Sequence, residues 1–140
     1  MPVIDHRSLD EKPWRPNYHS WDITREGDGT TASTLSWSLV GVGVGAPLHF
    51  HEAEELIVVL EGTLEFRLGS EVHRAEPEQT VIIPARMPHS FTNPGPGVAQ
   101  IMAFFPVKDP FRGTTYLEGK PPRVHRHRSR VQHESSGRSS

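Results

Sequence analysis

The chain has 140 residues, enough for one domain around a single core and too short for two ordinary ones. Its 12 Gly and 13 Pro, against 34% hydrophobic residues, interrupt long helices and favour short strands joined by turns. With no cysteine and a formal charge of −2, it excludes disulfide frameworks, thiolate metal sites and thiol nucleophiles, so any metal must rely on His and carboxylate ligands.

The charge is unevenly spread. Residues 1–107 hold 7 Lys and Arg against 14 Asp and Glu, net −7, whereas 108–140 hold 8 against 3, net +5. An acidic main part makes nucleic acid a poor partner. The first 30 residues contain no apolar stretch of signal-peptide length, and the longest apolar run, "LIVVL" at 56–60, is far short of a bilayer span. A cytoplasmic protein with no membrane partner is expected.

Residues 1–32 scatter Trp14, Tyr18 and Trp21 among Pro, Asp and Arg without periodicity, which predicts an irregular N-terminal arm packed on the domain. Trp14, Trp21 and Trp37 are assigned to that packing, with the mouth of a pocket as the alternative. From residue 33 the pattern alternates. Leu35, Trp37 and Leu39 interleave with Ser36, Ser38 and Val40, the period of a strand with one face buried. Similar runs follow at "APLHFH", "EELIVVLEG", "TLEFRLG", "TVIIPA", "HSFTN" and "VAQIMAFFPV", giving about seven short strands and an all-β sandwich or barrel over 33–107. The turn at Gly62 and Thr63 predicts an antiparallel hairpin of 55–61 with 63–68, and "NPGPG" at 93–97 predicts another turn between the last two strands. Residues 108–140 are basic and end in "HRHRSRVQHESSGRSS", which buries too little to offset the entropy of ordering and reads as a largely disordered C-terminal tail.

The chemistry concentrates in "HFHEAEEL" at 49–56. On a strand, side chains two apart share a face, so the imidazoles of His49 and His51 converge. Glu55 heads the next apolar strand and turns inward with Ile57 and Val59, while Glu52 and Glu54 fall on the turn in water; Glu54 is the alternative if the strand starts one residue earlier. A bare carboxylate among apolar neighbours is costly, and a divalent cation removes the cost. Of the two further histidines among the strands, His73 sits between charged residues, whereas His89 begins an apolar alternating run after Pro88 and is the better fourth ligand. The set suits one divalent transition metal ion, Fe, Mn, Ni, Co, Cu or Zn, with positions left for water or substrate. His125 and His127 repeat the spacing with no strand around them and read as solvated.

The segment "GVGAPLHFHEAEELIVVLEG" resembles the first motif of the cupin superfamily, G-x5-H-x-H-x3-E-x6-G, at Gly43, His49, His51, Glu55 and Gly62. "EQTVIIPARMPHSFTN" is similar to the second, G-x5-P-x-G-x2-H-x3-N, at Pro84, His89 and Asn93, with Glu78 and Arg86 where the family has glycine. Because positive φ disfavours residues with a Cβ, the Arg86 departure predicts another backbone path for the 84–88 turn. The resemblance implies a small antiparallel β-barrel of the cupin or jelly-roll type, a metal inside it, and a homodimer formed by strand exchange or sheet packing. It also implies an enzyme acting on a small organic substrate through dioxygenase, lyase, isomerase or cyclase chemistry. The alternative is a non-catalytic binding or sensor module in which the metal is structural or holds a ligand. No acid or base stands out. Glu55 is one candidate; Tyr18 and Tyr116 are others if the flanking segments fold over the mouth.

Overall fold

A computed structural model describes residues 3–24 and 28–122. After a 3-10 turn at His6–Ser8, the chain forms eleven strands: β1 (Lys12–Arg15), β2 (Tyr18–Thr24), β3 (Thr34–Val40), β4 (Gly45–Phe50), β5 (Glu55–Glu61), β6 (Leu64–Leu68), β7 (Glu71–Ala75), β8 (Gln79–Ile83), β9 (His89–Thr92), β10 (Ala99–Phe105) and β11 (Thr115–Tyr116). They make two antiparallel sheets, ordered β1-β2-β3-β10-β5-β8 and β11-β4-β9-β6-β7. The fold is all-β, a jelly roll as expected.

Period-2 patterning builds the core. Ile57 and Val59 of β5, Val81 and Ile83 of β8, and Ile101 of β10 turn inward from one sheet, meeting Leu64 and Phe66 of β6 and Phe91 of β9 from the other. Each strand presents alternate residues to the interior, so a short apolar run suffices to bury one face.

Several sequence expectations need correction. Gly62 does not close a hairpin: β5 pairs with β8 and β10, and β6 with β7 and β9, so the link carries the chain from one sheet to the other. Gly62 has φ +80°, and a Cβ there would stand 2.8 Å from the Ala99 Cα; both the angle and the close approach require glycine. The 93–97 turn crosses between sheets in the same way, from β9 to β10.

One face of β3 is buried as expected, and it is the Ser–Val side. Ser38 and Val40 are buried and Ser36 lines the interior cavity, whereas Leu35, Trp37 and Leu39 lie half-buried on the outer face. Trp21 and Trp37 stack there with centroids 4.7 Å apart, and His6 stacks on Trp37 at 6.1 Å.

Residues 12–24, placed by sequence in the arm, add two strands to one edge of the six-stranded sheet, with Tyr18 in the core. Likewise, of the segment read as tail, residues 108–122 are folded: Thr115 and Tyr116 pair with Phe50 and His49 as an extra strand. Short strands rich in Pro and charge carry little periodicity of their own and are ordered by the neighbours they pair with. Residues 123–140, including His125 and His127, lie outside the described residues.

The 84–88 turn does not take the other backbone path that the Arg86 departure predicts. Arg86 has φ 66° and Glu78 φ 71°, so both positions where glycine is expected stay left-handed, at a cost of about 1 kcal/mol each. Arg86 N donates to His51 O at 2.7 Å and its guanidinium meets Glu52 at 3.1 Å, contacts that hold the strained backbone in place.

Candidate metal centre

The register of three strands brings the histidines together. His49 on β4 pairs directly with His89 on β9, and His51 follows two residues beyond His49, on the same face. Ring centroids of His49 lie 4.7 Å from His51 and 4.2 Å from His89, and their donor nitrogens fall within 4.8 Å of one another. Glu55, at the head of β5, places Oε1 3.5 Å from His51 Nε2 and 3.4 Å from His89 Nε2. The mutually close set is therefore the three imidazoles, with Glu55 bordering two of them. All four residues are buried, between 1% and 7% exposed, and the carboxylate is delivered from the opposite sheet to the histidine pair of β4 and β9.

The outer nitrogens fix the tautomers. His49 Nδ1 donates to Pro47 O at 2.6 Å and His89 Nδ1 to Met87 O at 2.8 Å. His51 Nδ1 donates to Thr114 Oγ1 at 2.7 Å, because that hydroxyl spends its own proton on Pro110 O at 3.2 Å. With every Nδ1 protonated, each Nε2 carries an inward lone pair, the arrangement by which outer partners orient metal-binding histidines. His89 Nε2 is buried with no hydrogen-bond partner among the described residues. A buried orphan acceptor costs about 1–3 kcal/mol, and a cation satisfies it. Neighbouring ligand atoms around an ion with bonds near 2.1 Å sit roughly 3 Å apart, so the 3.4 and 3.5 Å separations need only a small contraction. The donors present fit a divalent transition ion.

Electrostatics agree with that fit. Burial, then the neighbouring His89, lowers the His49 imidazole to about 4, keeping it neutral and able to ligate. Burial pushes the Glu55 carboxyl up, but the neighbouring His51 and His89 outweigh it and hold the group at about 2; with Nε2 of both rings unprotonated, a cation between them takes over that role.

Tyr18 and Tyr116 both reach the site. The Tyr116 ring stacks on His49 with centroids 5.3 Å apart and planes 22° apart. Tyr18 lines the same cavity from β2. Burial, followed by the Glu55 charge, pushes the Tyr18 phenol far up, and burial also raises Tyr116; both remain protonated donors at neutral pH. The cavity offers about 580 Å³, part of it open to solvent, and Ile57 and Phe91 line it as expected, while Val59 is buried in the core beneath. His73 is exposed on β7 against Glu71, and Glu52 and Glu54 are exposed on the turn.

A family model described as a cupin domain matches residues 37–105, which contain all three histidines and Glu55. The chain belongs to the cupin superfamily. Solved cupin structures agree in fold. The polyketide cyclase RemF from Streptomyces resistomycificus superposes with a TM-score of 0.72 at 21% identity, covering 86% of this chain and 87% of that one. KdgF from Halomonas sp. gives 0.67 at 19%, covering 78% and 96%. Oxalate decarboxylase from Bacillus subtilis gives 0.69 at 16%, covering 84% of this cupin and 33% of its own chain. Among curated proteins no sequence match was found.

Sequence reasoning missed the residues that complete the cavity. Thr114, Phe111, Arg15 and the serines at 20, 36 and 38 all lie in it or against its histidines. Most come from the segments read as arm and tail. The one usable signal was that both segments retain isolated aromatics, among them Trp14, Phe111 and Tyr116. Trp14 takes the alternative of the two roles its position allows and lines the cavity.

Proposed function

We propose that this cupin is a metal-dependent enzyme acting on a small organic substrate that coordinates the ion through oxygen. The observation that carries the reading is the orphaned, buried Nε2 of His89, beside two further tautomer-locked imidazoles and Glu55, which line an open cavity. His49, His51, Glu55 and His89 would hold the ion. Once bound, it supplies Lewis acidity to a coordinated carbonyl, hydroxyl or water. The chain's own groups then do the rest. Tyr18 and Tyr116, protonated and lining the cavity, would donate protons to a bound oxygen, Glu55 is the carboxylate that would accept one, and the aromatic walls would exclude water.

Support for an enzyme over a passive binder lies in these two phenols, which a structural metal site would not need. The test is elemental analysis of untagged protein and of His49→Ala and His89→Ala, followed by turnover and oxygen uptake over diols, aromatics and oxo acids with and without chelator. Metal near one equivalent in the wild type, lost from both variants, with chelator-sensitive turnover, is the expected result. Full metal retention in both variants overturns the site. Chelator-dependent melting with no reacting compound would make the protein a binding module instead.

We further propose a homodimer through the outer face of the six-stranded sheet. Leu35, Trp37 and Leu39 of β3, Met102 and Phe104 of β10, and Leu56 and Val58 of β5, all half-buried, form a contiguous apolar face on it of the kind that marks an interaction site.

A further inference from the structure

Two cationic side chains line the cavity, Lys12 and Arg15 of β1. Their charges are in different states. Lys12 Nζ lies 2.5 Å from Asp22 Oδ1 and 4.3 Å from the Trp14 ring centroid, so its charge is already answered within the fold. Arg15 hydrogen-bonds Tyr116 and its guanidinium carbon sits 5.8 Å from that ring's centroid. Among the described residues no carboxylate lies within ion-pair distance of it. A half-buried guanidinium that gives a cavity wall its charge without a counter-ion pays desolvation for nothing unless an anion comes to meet it.

The position of that charge matters. Tyr116 touches Arg15 and stacks on His49, so the guanidinium stands one side chain away from the histidine cluster. The remaining wall is aromatic. Trp14 and Phe111 meet edge to face at 5.3 Å, and Phe111 also packs against Phe105 at 5.8 Å and His51 at 5.7 Å. Flat π-faces beside a forked cation favour a planar ring bearing an oxyanion, since ring and charge are then both matched.

We propose that the ligand of this cavity is an aromatic anion, a ring carrying a carboxylate or an equivalent oxyanion, with Arg15 as the residue that selects its charge. This deepens the function proposed above and rests on the same cavity, but Arg15 acts whether or not the ion is loaded. Lys12, neutralised by Asp22, contributes packing and not selection.

The probes are benzoate, its neutral isostere benzamide, and butanoate, an anion without a ring, titrated by ligand-observed NMR into metal-loaded and EDTA-stripped protein. Wild type should bind benzoate at least tenfold more tightly than benzamide and at least fivefold more tightly than butanoate. Arg15→Gln should weaken benzoate at least tenfold, leave benzamide within twofold, and leave metal content unchanged; Arg15→Lys should recover part of the loss. Equal affinities for benzoate and benzamide, a preference that survives Arg15→Gln, or no benzoate binding overturns the proposal. Butanoate binding as well as benzoate overturns its aromatic part. If Arg15→Gln fails to fold, the wild-type comparison and Arg15→Lys decide. An Arg15-dependent preference in protein that never holds metal would sustain this inference while the enzyme reading fails; metal-loaded protein with no preference would do the reverse.

Discussion

His49 and Glu55 make the folded state sensitive to acid, and the signs follow from their environments. Burial lowers the His49 imidazole from 6.5 to about 4. Below 6.5 the unfolded chain takes up a proton that folded His49 refuses, so stability falls as pH drops from 6.5 towards 4, by about 3 kcal/mol at most. Glu55 works in the same direction at lower pH. Its carboxyl is held at about 2 against an ordinary 4.5, so its stabilisation is complete above 4.5 and is lost as pH falls towards 2. Urea denaturation of metal-stripped protein should show a lower midpoint at pH 5 than at pH 7, and His49→Gln should flatten that slope; an unchanged slope in the variant would count against a buried neutral His49. Thr114 tests the outer partner of the cluster. It accepts the His51 Nδ1 proton and passes its own to Pro110. Thr114→Val keeps the shape and leaves that N–H unpaired, so metal affinity should fall roughly 10–100-fold, read by competition with a chromophoric chelator. Affinity equal to wild type would show that Thr114 does not orient the ring.

At the scale of strands and turns, what the sequence discloses is whatever depends on local period. His49 and His51 share a face because strand side chains alternate, whatever the strand pairs with, and Glu55 turns inward with Ile57 and Val59 for the same reason. Which sheet a strand joins is a non-local matter, and a glycine turn serves a sheet-to-sheet corner as well as a hairpin; hence the misreading at Gly62. Which face of β3 is buried is a non-local matter too. Apolar residues point inward where the interior is a core, but Ser20, Ser36 and Ser38 line a cavity, and the Leu–Trp–Leu side faces out. Thr114 lies 63 residues from His51 in sequence, beyond any motif. Asn93, matched only as a motif position, turns out to be a fastener of the crossing turn. Fully buried, it donates from Nδ2 to Val40 O and Gly97 O, both at 2.9 Å, and accepts from Gly95 N at 2.7 Å. Asn93→Ala strands three backbone groups, and a loss of about 2–4 kcal/mol is expected from the urea midpoint. A loss below ~1 kcal/mol would mean water replaces the amide without cost.

The molecule as a whole turns its polarity partly inside out, with serines, charges and a histidine cluster around the cavity between the sheets and an apolar row on the outer face. Trp21, Trp37, Met102 and Val58 stand in register across four strands, and Leu35, Phe104, Leu56 and Ile82 form a second row beside them. Ile82 is 65% exposed and Leu60 43%. Among the described residues no helix is long and apolar enough to cross a membrane, and no described element covers these rows beyond the stack of His6 on Trp37. Strands spaced about 4.8 Å apart give five neighbours a face roughly 20 Å wide, a useful fraction of the ~800 Å² per partner that a stable pair buries. Association of two such faces about a twofold axis covers both at once. In sedimentation velocity at micromolar concentration the protein should therefore run at twice its 15.7 kDa chain mass. Val58→Glu, at the centre of the rows, should shift it to monomer while leaving metal content intact, because Val58 faces away from the cavity. A wild type that stays monomeric at high concentration, or a Val58→Glu protein that still pairs, would place the contact elsewhere and leave the exposed rows needing another occupant.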